Sequence, residues 1–141
     1  MLQQNTTKRI GYWLLHLHRL FDEATERALS SEGLNRRQWQ VLHAISIEVN
    51  TVAGIDAAFS PFLAVDRVDS YAPIVKEFEA RGWVTAQDGT VALTADGDAA
   101  HGRAEALVNA HAARSLAGIS EEEFLAANDV LARIAHNLKS E

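Results

Sequence analysis

This sequence predicts a mainly α-helical fold with one small two-stranded hairpin, on three observations. Apolar residues recur at steps of three and four along most of the chain. One Asp-Gly pair lies between two short runs suited to strands. The breaks between periodic stretches carry helix-cap residues and glycines.

From Ile10 to Leu29 the stripe is Ile10, Trp13, Leu14, Leu17, Leu20, Phe21, Ala24 and Ala28, with Arg19, Asp22, Glu23 and Glu26 between them. This is a long amphipathic helix, which Ser30, Ser31 and Gly33 break. Asn35, followed three residues later by Gln38, is a capping-box variant that opens a second helix with Trp39, Val41, Leu42 and Ile45 as its apolar set. Residues Asn50 to Asp69, punctuated by Gly54, Ser60 and Pro61, read as two short helical pieces. Ser60 is the expected cap of the second and Pro61 its first residue.

Asp69 or Ser70 can cap the next helix, Ser70 to Arg81, which carries Tyr71, Ile74, Val75 and Phe78 on one side and Lys76, Glu77 and Glu79 on the other. Pro73 requires this helix to begin close to Ser70, because only the first turn leaves a backbone donor unpaired. Gly82 ends it. Trp83 to Ala86 and Thr90 to Leu93 then flank Gln87-Asp88-Gly89, which predicts the hairpin. Thr94 caps an alanine-rich helix running to Leu116, closed by Gly118. Ser120-Glu121-Glu122-Glu123 is a capping box ahead of the stripe Phe124, Ala127, Leu131, Ile134, Ala135 and Leu138.

A chain of 141 residues with 48% apolar and 23% charged side chains fits one ordinary globular domain. The absence of cysteine excludes disulfides, thiolate metal sites and cysteine nucleophiles. The polar start, Met1 to Arg9, leads into a stretch unlike a signal peptide's apolar region, and no window approaches a membrane span, so the chain reads as cytoplasmic. There is no Gly-x-Ser-x-Gly elbow, no phosphate-cradling glycine loop and no His-Glu-x-x-His, so no enzyme is expected.

Six histidines raise the question of a metal. His101 and Glu105 lie one helical turn apart and can chelate. However, His16 and His18 cannot share a helix face, and His111 lies nearly three turns from His101, so neither a metal site nor a cofactor is expected. Tyr12, Trp13, His16, Trp39 and His43 combine rings with polar groups, as a pocket for a small aromatic or apolar effector would. For Trp13 and Trp39, however, helix-packing core is the favoured reading.

Short helices followed by a hairpin, between long amphipathic helices, resemble the multiple antibiotic resistance regulator (MarR) family. The resemblance rests on Leu34-Asn35-Arg36-Arg37-Gln38-Trp39-Gln40-Val41-Leu42, on Phe78-Glu79-Ala80-Arg81-Gly82-Trp83-Val84, and on Leu93-Thr94-Ala95-Asp96-Gly97. It implies a winged helix-turn-helix module over residues 34–102 and a helical dimerisation base over 1–33 and 103–141. It further implies a homodimeric transcriptional regulator that binds a palindromic double-stranded operator and is released by a small-molecule effector. Ser70 to Arg81 would be the recognition helix and Thr85 to Leu93 the wing.

The residues expected to meet DNA are Arg36, Arg37, Arg67 and Lys76 at phosphates, with Ser70, Tyr71 and Gln87 as uncharged donors. Those expected at an effector are Trp13, His16, Trp39 and His43. The formal net charge of -6 works against long-range attraction to phosphate, so binding has to rest on a local patch. The wing tip, Gln87-Asp88-Gly89-Thr90, has no cation. A second reading therefore stays open, a ligand- or protein-binding adaptor that keeps the fold with weak or no DNA binding.

Overall fold

The computed structural model describes residues 8–140. The expected polar start and the beginning of the expected base segment, residues 1–7, lie outside the described residues. By its internal contacts the chain divides after Asn109 into two units. The first holds α1 (Ile10–Ala28), α2 (Arg36–Ser46), α3 (Val52–Ala58), α4 (Ser60–Asp66), α5 (Ala72–Ala80), strands β1 (Val84–Gln87) and β2 (Thr90–Leu93), and most of α6 (Ala95–Ser115). The second holds the end of α6 and α7 (Glu121–Lys139). No described helix is long and apolar enough to cross a membrane.

Local chemistry sets most of these boundaries. The Leu29 end of α1 tightens into a single 3-10 turn, Ser30–Glu32, which Gly33 terminates at a left-handed φ of 64°. The Asn35 side chain accepts from the Gln38 N–H at 2.8 Å, and the Gln38 side chain accepts from the Asn35 N–H at 2.9 Å, so the capping box is complete. Ser120 and Glu123 repeat it at α7, at 3.1 Å in each direction. The expectation for Ser60 is corrected by one position. Ser60 is the first residue of α4, the cap position falls to Phe59, and Pro61 sits in the first turn, where its missing donor costs nothing.

The start of α5 is also later than expected, at Ala72 rather than Ser70. The reason is a carboxylate from another helix. Asp56 of α3 accepts from the Tyr71 N–H at 2.7 Å and from the Ser70 hydroxyl at 2.8 Å, while the same hydroxyl accepts from the Ala72 N–H at 3.1 Å. The donors of the first turn are thus satisfied by a bridge between α3 and α5.

Strands β1 and β2 pair antiparallel in the register Val84 with Leu93 and Gln87 with Thr90. Asp88 (φ 53°) and Gly89 (φ 79°) take the two positive-φ positions of the turn, as an Asp-Gly hairpin demands. The hairpin is fastened to the loop after α2, since the Val91 N–H donates to the Asn50 carbonyl at 2.8 Å and Thr51 bridges Thr90. Beneath it lies one apolar core, with Leu42, Ile55, Val75, Phe78, Val84 and Val91 all buried.

Candidate functional site

The outward face of α5 follows from what its inward face must bury. Val75 and Phe78 enter the core, leaving Pro73, Lys76, Glu79 and Ala80 exposed at helical spacing. This face offers one cation, one carboxylate acceptor and two apolar surfaces, a set that can address base edges as well as phosphates. Glu79, Pro73 and Ala80 were not among the expected contacts. They could have been found as the complement of the buried pair.

Of the expected DNA residues, Arg67, Lys76 and Gln87 are exposed. Arg67 occupies the left-handed position that ends α4, at φ 57°. No carboxylate lies within ion-pair distance of Arg67 or Lys76 among the described residues, so both charges are available to an anion. Arg36 is half-buried, bonded to Asp22 at 3.1 Å with its guanidinium against the Phe21 ring. Ser70 is committed to Asp56 and to the start of α5.

Arg37 and Tyr71 require a correction, because both point inward. Arg37 is 8% exposed and Tyr71 2%. Asp66, the last residue of α4, accepts from Arg37 Nε at 2.6 Å and from the Tyr71 hydroxyl at 2.7 Å on the same oxygen. Arg37 also bonds Gln40 and lies over the Phe62 ring, 3.8 Å from its centroid. Burial alone would push the Asp66 carboxyl up, but the hydrogen bonds from Arg37 and Tyr71 and the Arg37 charge outweigh it and hold Asp66 below the usual carboxylate range. Burial, reinforced by the bond to that carboxylate, pushes the Tyr71 phenol up to about 12. The triad ties α2, α4 and the start of α5 together, and so positions the exposed face rather than belonging to it.

Arg81 is structural too. It donates to Glu77 at 2.7 Å and to the carbonyls of Glu32 and Gly33, with its guanidinium over Trp83. A cleft of about 370 Å³ opens between Asp22 and Glu26 of α1, Arg36 of α2, and Pro73 and Ile74 of α5. That volume is within the range of small-molecule sites.

The expected effector residues fall into two separate groups. Trp13 and His16, on α1, make ring contacts with Tyr12 and with each other, and Trp13 is 45% exposed. Trp39 is buried, and Trp39 and His43, both on α2, instead meet His101 of α6. The His101 ring stacks on Trp39 with centroids 5.2 Å apart and on His43 at 5.3 Å. His43 Nδ1 lies 3.0 Å from His101 Nε2, and Glu105 Oε2 is 3.7 Å from that same nitrogen. Burial pushes the His101 imidazole down, against the opposing fields of Glu105 and Asp98. The sequence exposed the His101–Glu105 spacing, but His43 joins them only through the packing of α2 on α6.

No family model and no curated protein matches the sequence. Solved structures do match. A MarR-family transcriptional regulator from Rhodococcus sp. RHA1 superimposes with a TM-score of 0.74 at 27% identity, covering 89% of this chain and 91% of that one. CouR from Rhodococcus jostii RHA1, bound to p-coumaroyl-CoA, gives 0.75 at 26% identity, with coverage of 89% and 91%. A MarR family protein of Mycobacterium tuberculosis in complex with DNA gives 0.69 at 26% identity, with coverage of 89% and 97%.

Proposed function

Because this chain is a winged-helix protein of the MarR type, we propose that it is a dimeric, ligand-responsive transcriptional regulator that binds double-stranded DNA in the cytoplasm and catalyses no reaction. The observation that carries this reading is the exposed face of α5, held out by the Asp66 triad beside a hairpin wing, with Lys76 and Arg67 unengaged by any carboxylate among the described residues. Phosphate contacts by Arg67 and Lys76 orient the module, and Glu79 and Ala80 read base edges in the major groove. A ligand in the cleft between α1, α2 and α5 acts by favouring one placement of α5 over another.

Binding by two cations per chain has a measurable signature. A dimer that neutralises four phosphates gives a log–log salt slope of about -3.5. In gel-shift titrations against the protein's own upstream region, Lys76→Ala should flatten that slope by about two units per dimer. Glu79→Ala should relax sequence preference with little change in slope. Failure to bind any such fragment at low ionic strength would favour the adaptor reading, in which the fold serves a ligand or a protein.

Dimerisation is argued from uncovered apolar surface. On α1, Trp13, Leu14, Leu15, Leu17, Leu20 and Phe21 are each at least 40% exposed. On α7, Phe124, Leu125, Val130, Leu131, Ile134 and Leu138 are exposed as well. Apolar faces of this extent mark association sites, and a second copy of the chain is the proposed cover. Sedimentation at micromolar concentration should give a dimer, and Leu131→Glu should shift it to monomer or unfold it. A folded wild-type monomer at that concentration would refute the dimer.

A further inference from the structure

We propose that His43, His101 and Glu105 form a binding site for a divalent transition-metal ion, with zinc as the best match. Each residue offers one ligand atom, and the three atoms lie 3.0, 3.7 and 4.0 Å apart. Tetrahedral zinc with bonds of 2.0–2.1 Å places its ligands about 3.3 Å from one another, so only small side-chain movements separate this cluster from a coordination shell. Two imidazole nitrogens and one carboxylate oxygen suit zinc and its neighbours in the first transition row, and do not suit magnesium or calcium, which take oxygen shells.

The cluster is held in place from several sides. His101 and Glu105 project from one face of α6, one turn apart, and the His101 ring packs against both Trp39 and His43, which also meet each other. Its side chain is 11% exposed, whereas those of His43 and Glu105 are 43% and 44% exposed. The ligand set is therefore anchored at its inner member and open on the outer side, where water can complete the shell.

The hydrogen-bond inventory points the same way. The Ser46 hydroxyl donates its only proton to the His43 carbonyl at 2.6 Å, so it can only accept from His101 Nε2, 3.1 Å away. His101 Nε2 must then carry the proton. His43 Nδ1 accepts from the same nitrogen at 3.0 Å, and Glu105 Oε2 lies 3.7 Å from it, beyond hydrogen-bond reach. Two acceptors thus share one N–H, with a carboxylate oxygen just outside them. A dication that takes the place of this proton, as His101 passes to the tautomer with its proton on Nδ1, gains three lone pairs at once, from His101 Nε2, His43 Nδ1 and Glu105 Oε2. Bound there, the ion joins α2 to α6 within the first unit, whether or not the chain binds DNA.

The test uses the full chain without a histidine tag, titrated with Zn²⁺ against a chromogenic chelator and separately with Co²⁺. One equivalent per chain is expected, with visible absorption bands of tetrahedral Co²⁺ and a rise in melting temperature on adding Zn²⁺. His43→Ala and Glu105→Ala, both at half-exposed positions, should keep the circular dichroism of the parent. Each should weaken zinc binding by about 100-fold or more, since loss of even an outer-shell partner costs about 10–100-fold. His18→Ala, which removes a surface histidine on α1, should leave the affinity unchanged. Absence of stoichiometric binding, or equal affinity in the His43 and Glu105 variants, would overturn the site.

Discussion

Replacing Asp66 by alanine is expected to lower the unfolding free energy by about 3 kcal/mol, because it strands a buried guanidinium. Arg37 is almost fully enclosed, and Asp66 accepts from it through Nε at 2.6 Å and more distantly through Nη2 at 3.5 Å. The Gln40 bond and the Phe62 ring cannot neutralise that charge. Asp66 itself is about a quarter exposed, with 27% of its side-chain surface open, so the lower end of the range for broken buried pairs applies. A loss of that size corresponds to about 10 °C in melting temperature for a chain of this length, compared at fixed protein concentration.

The pH dependence of this effect has a definite sign. The folded Asp66 carboxyl lies below its unfolded value, so its stabilisation is fully present above the unfolded pKa and is lost as pH falls through the folded one. The stability gap between wild type and Asp66→Ala should therefore be constant near neutrality and close in acid, below about pH 4. Tyr71→Phe removes one donor from the same oxygen and should cost only about 1 kcal/mol. The triple replacement Arg37→Met, Asp66→Leu and Tyr71→Phe should recover most of the loss, since exchanging a buried polar group of residues for apolar side chains is often neutral and leaves no hydroxyl unpaired. Denaturant titrations in which Asp66→Ala loses less than about 1 kcal/mol would show that the triad does not hold the helices.

The triad also marks where the sequence stops being legible. Both capping boxes, the Asp-Gly hairpin and the proline in the first turn of α5 were readable because each depends on residues within four positions of one another. The sequence places Arg37 at DNA as a cation and Tyr71 as an uncharged donor, by residue type and position in the winged module. Only the return of Asp66, 29 residues after Arg37, turns Arg37 inward, whereas Tyr71 shares the apolar side of its helix with Val75 and Phe78, a signal the sequence itself carries. The same limit applies to the start of α5, set by Asp56 from α3, and to His43, which meets His101 across 58 positions. Trp13 and Trp39 shared a plausible composition for one pocket, yet α1 and α2 carry them to different clusters. Periodicity says which face of a helix is buried, and it carries no information about which partner the buried face meets.

Two glycines of α6 give the sharpest contrast in expected effect, because the same substitution should change sign between them. A Cβ at Gly97 would stand 1.9 Å from the Trp83 carbonyl oxygen and 2.7 Å from its carbon, both backbone atoms that cannot rotate aside. That carbonyl is fixed. It accepts from the Thr94 N–H at 2.9 Å, and the Trp83 N–H donates to Phe78 at 2.9 Å. The Thr94 hydroxyl bonds the Gly82 carbonyl at 2.6 Å and accepts from the Gly97 N–H at 3.0 Å, so the end of α5, the wing and the first turn of α6 form one junction. Alanine at position 97 gains about 1 kcal/mol of helix propensity but forces α6 away from β1, an overpacking cost of about 3 kcal/mol. The net expectation for Gly97→Ala is a loss of about 2 kcal/mol, together with weakened DNA binding as the wing moves. Gly102, five residues further along the helix, has nothing within 4 Å of its Cβ position and no positive φ, so Gly102→Ala should stabilise the chain by up to about 1 kcal/mol. Paired denaturation curves decide the matter. If Gly97→Ala proved as stable as Gly102→Ala, the close approach of α6 to the Trp83 backbone would be wrong, and with it the fixed geometry of the wing.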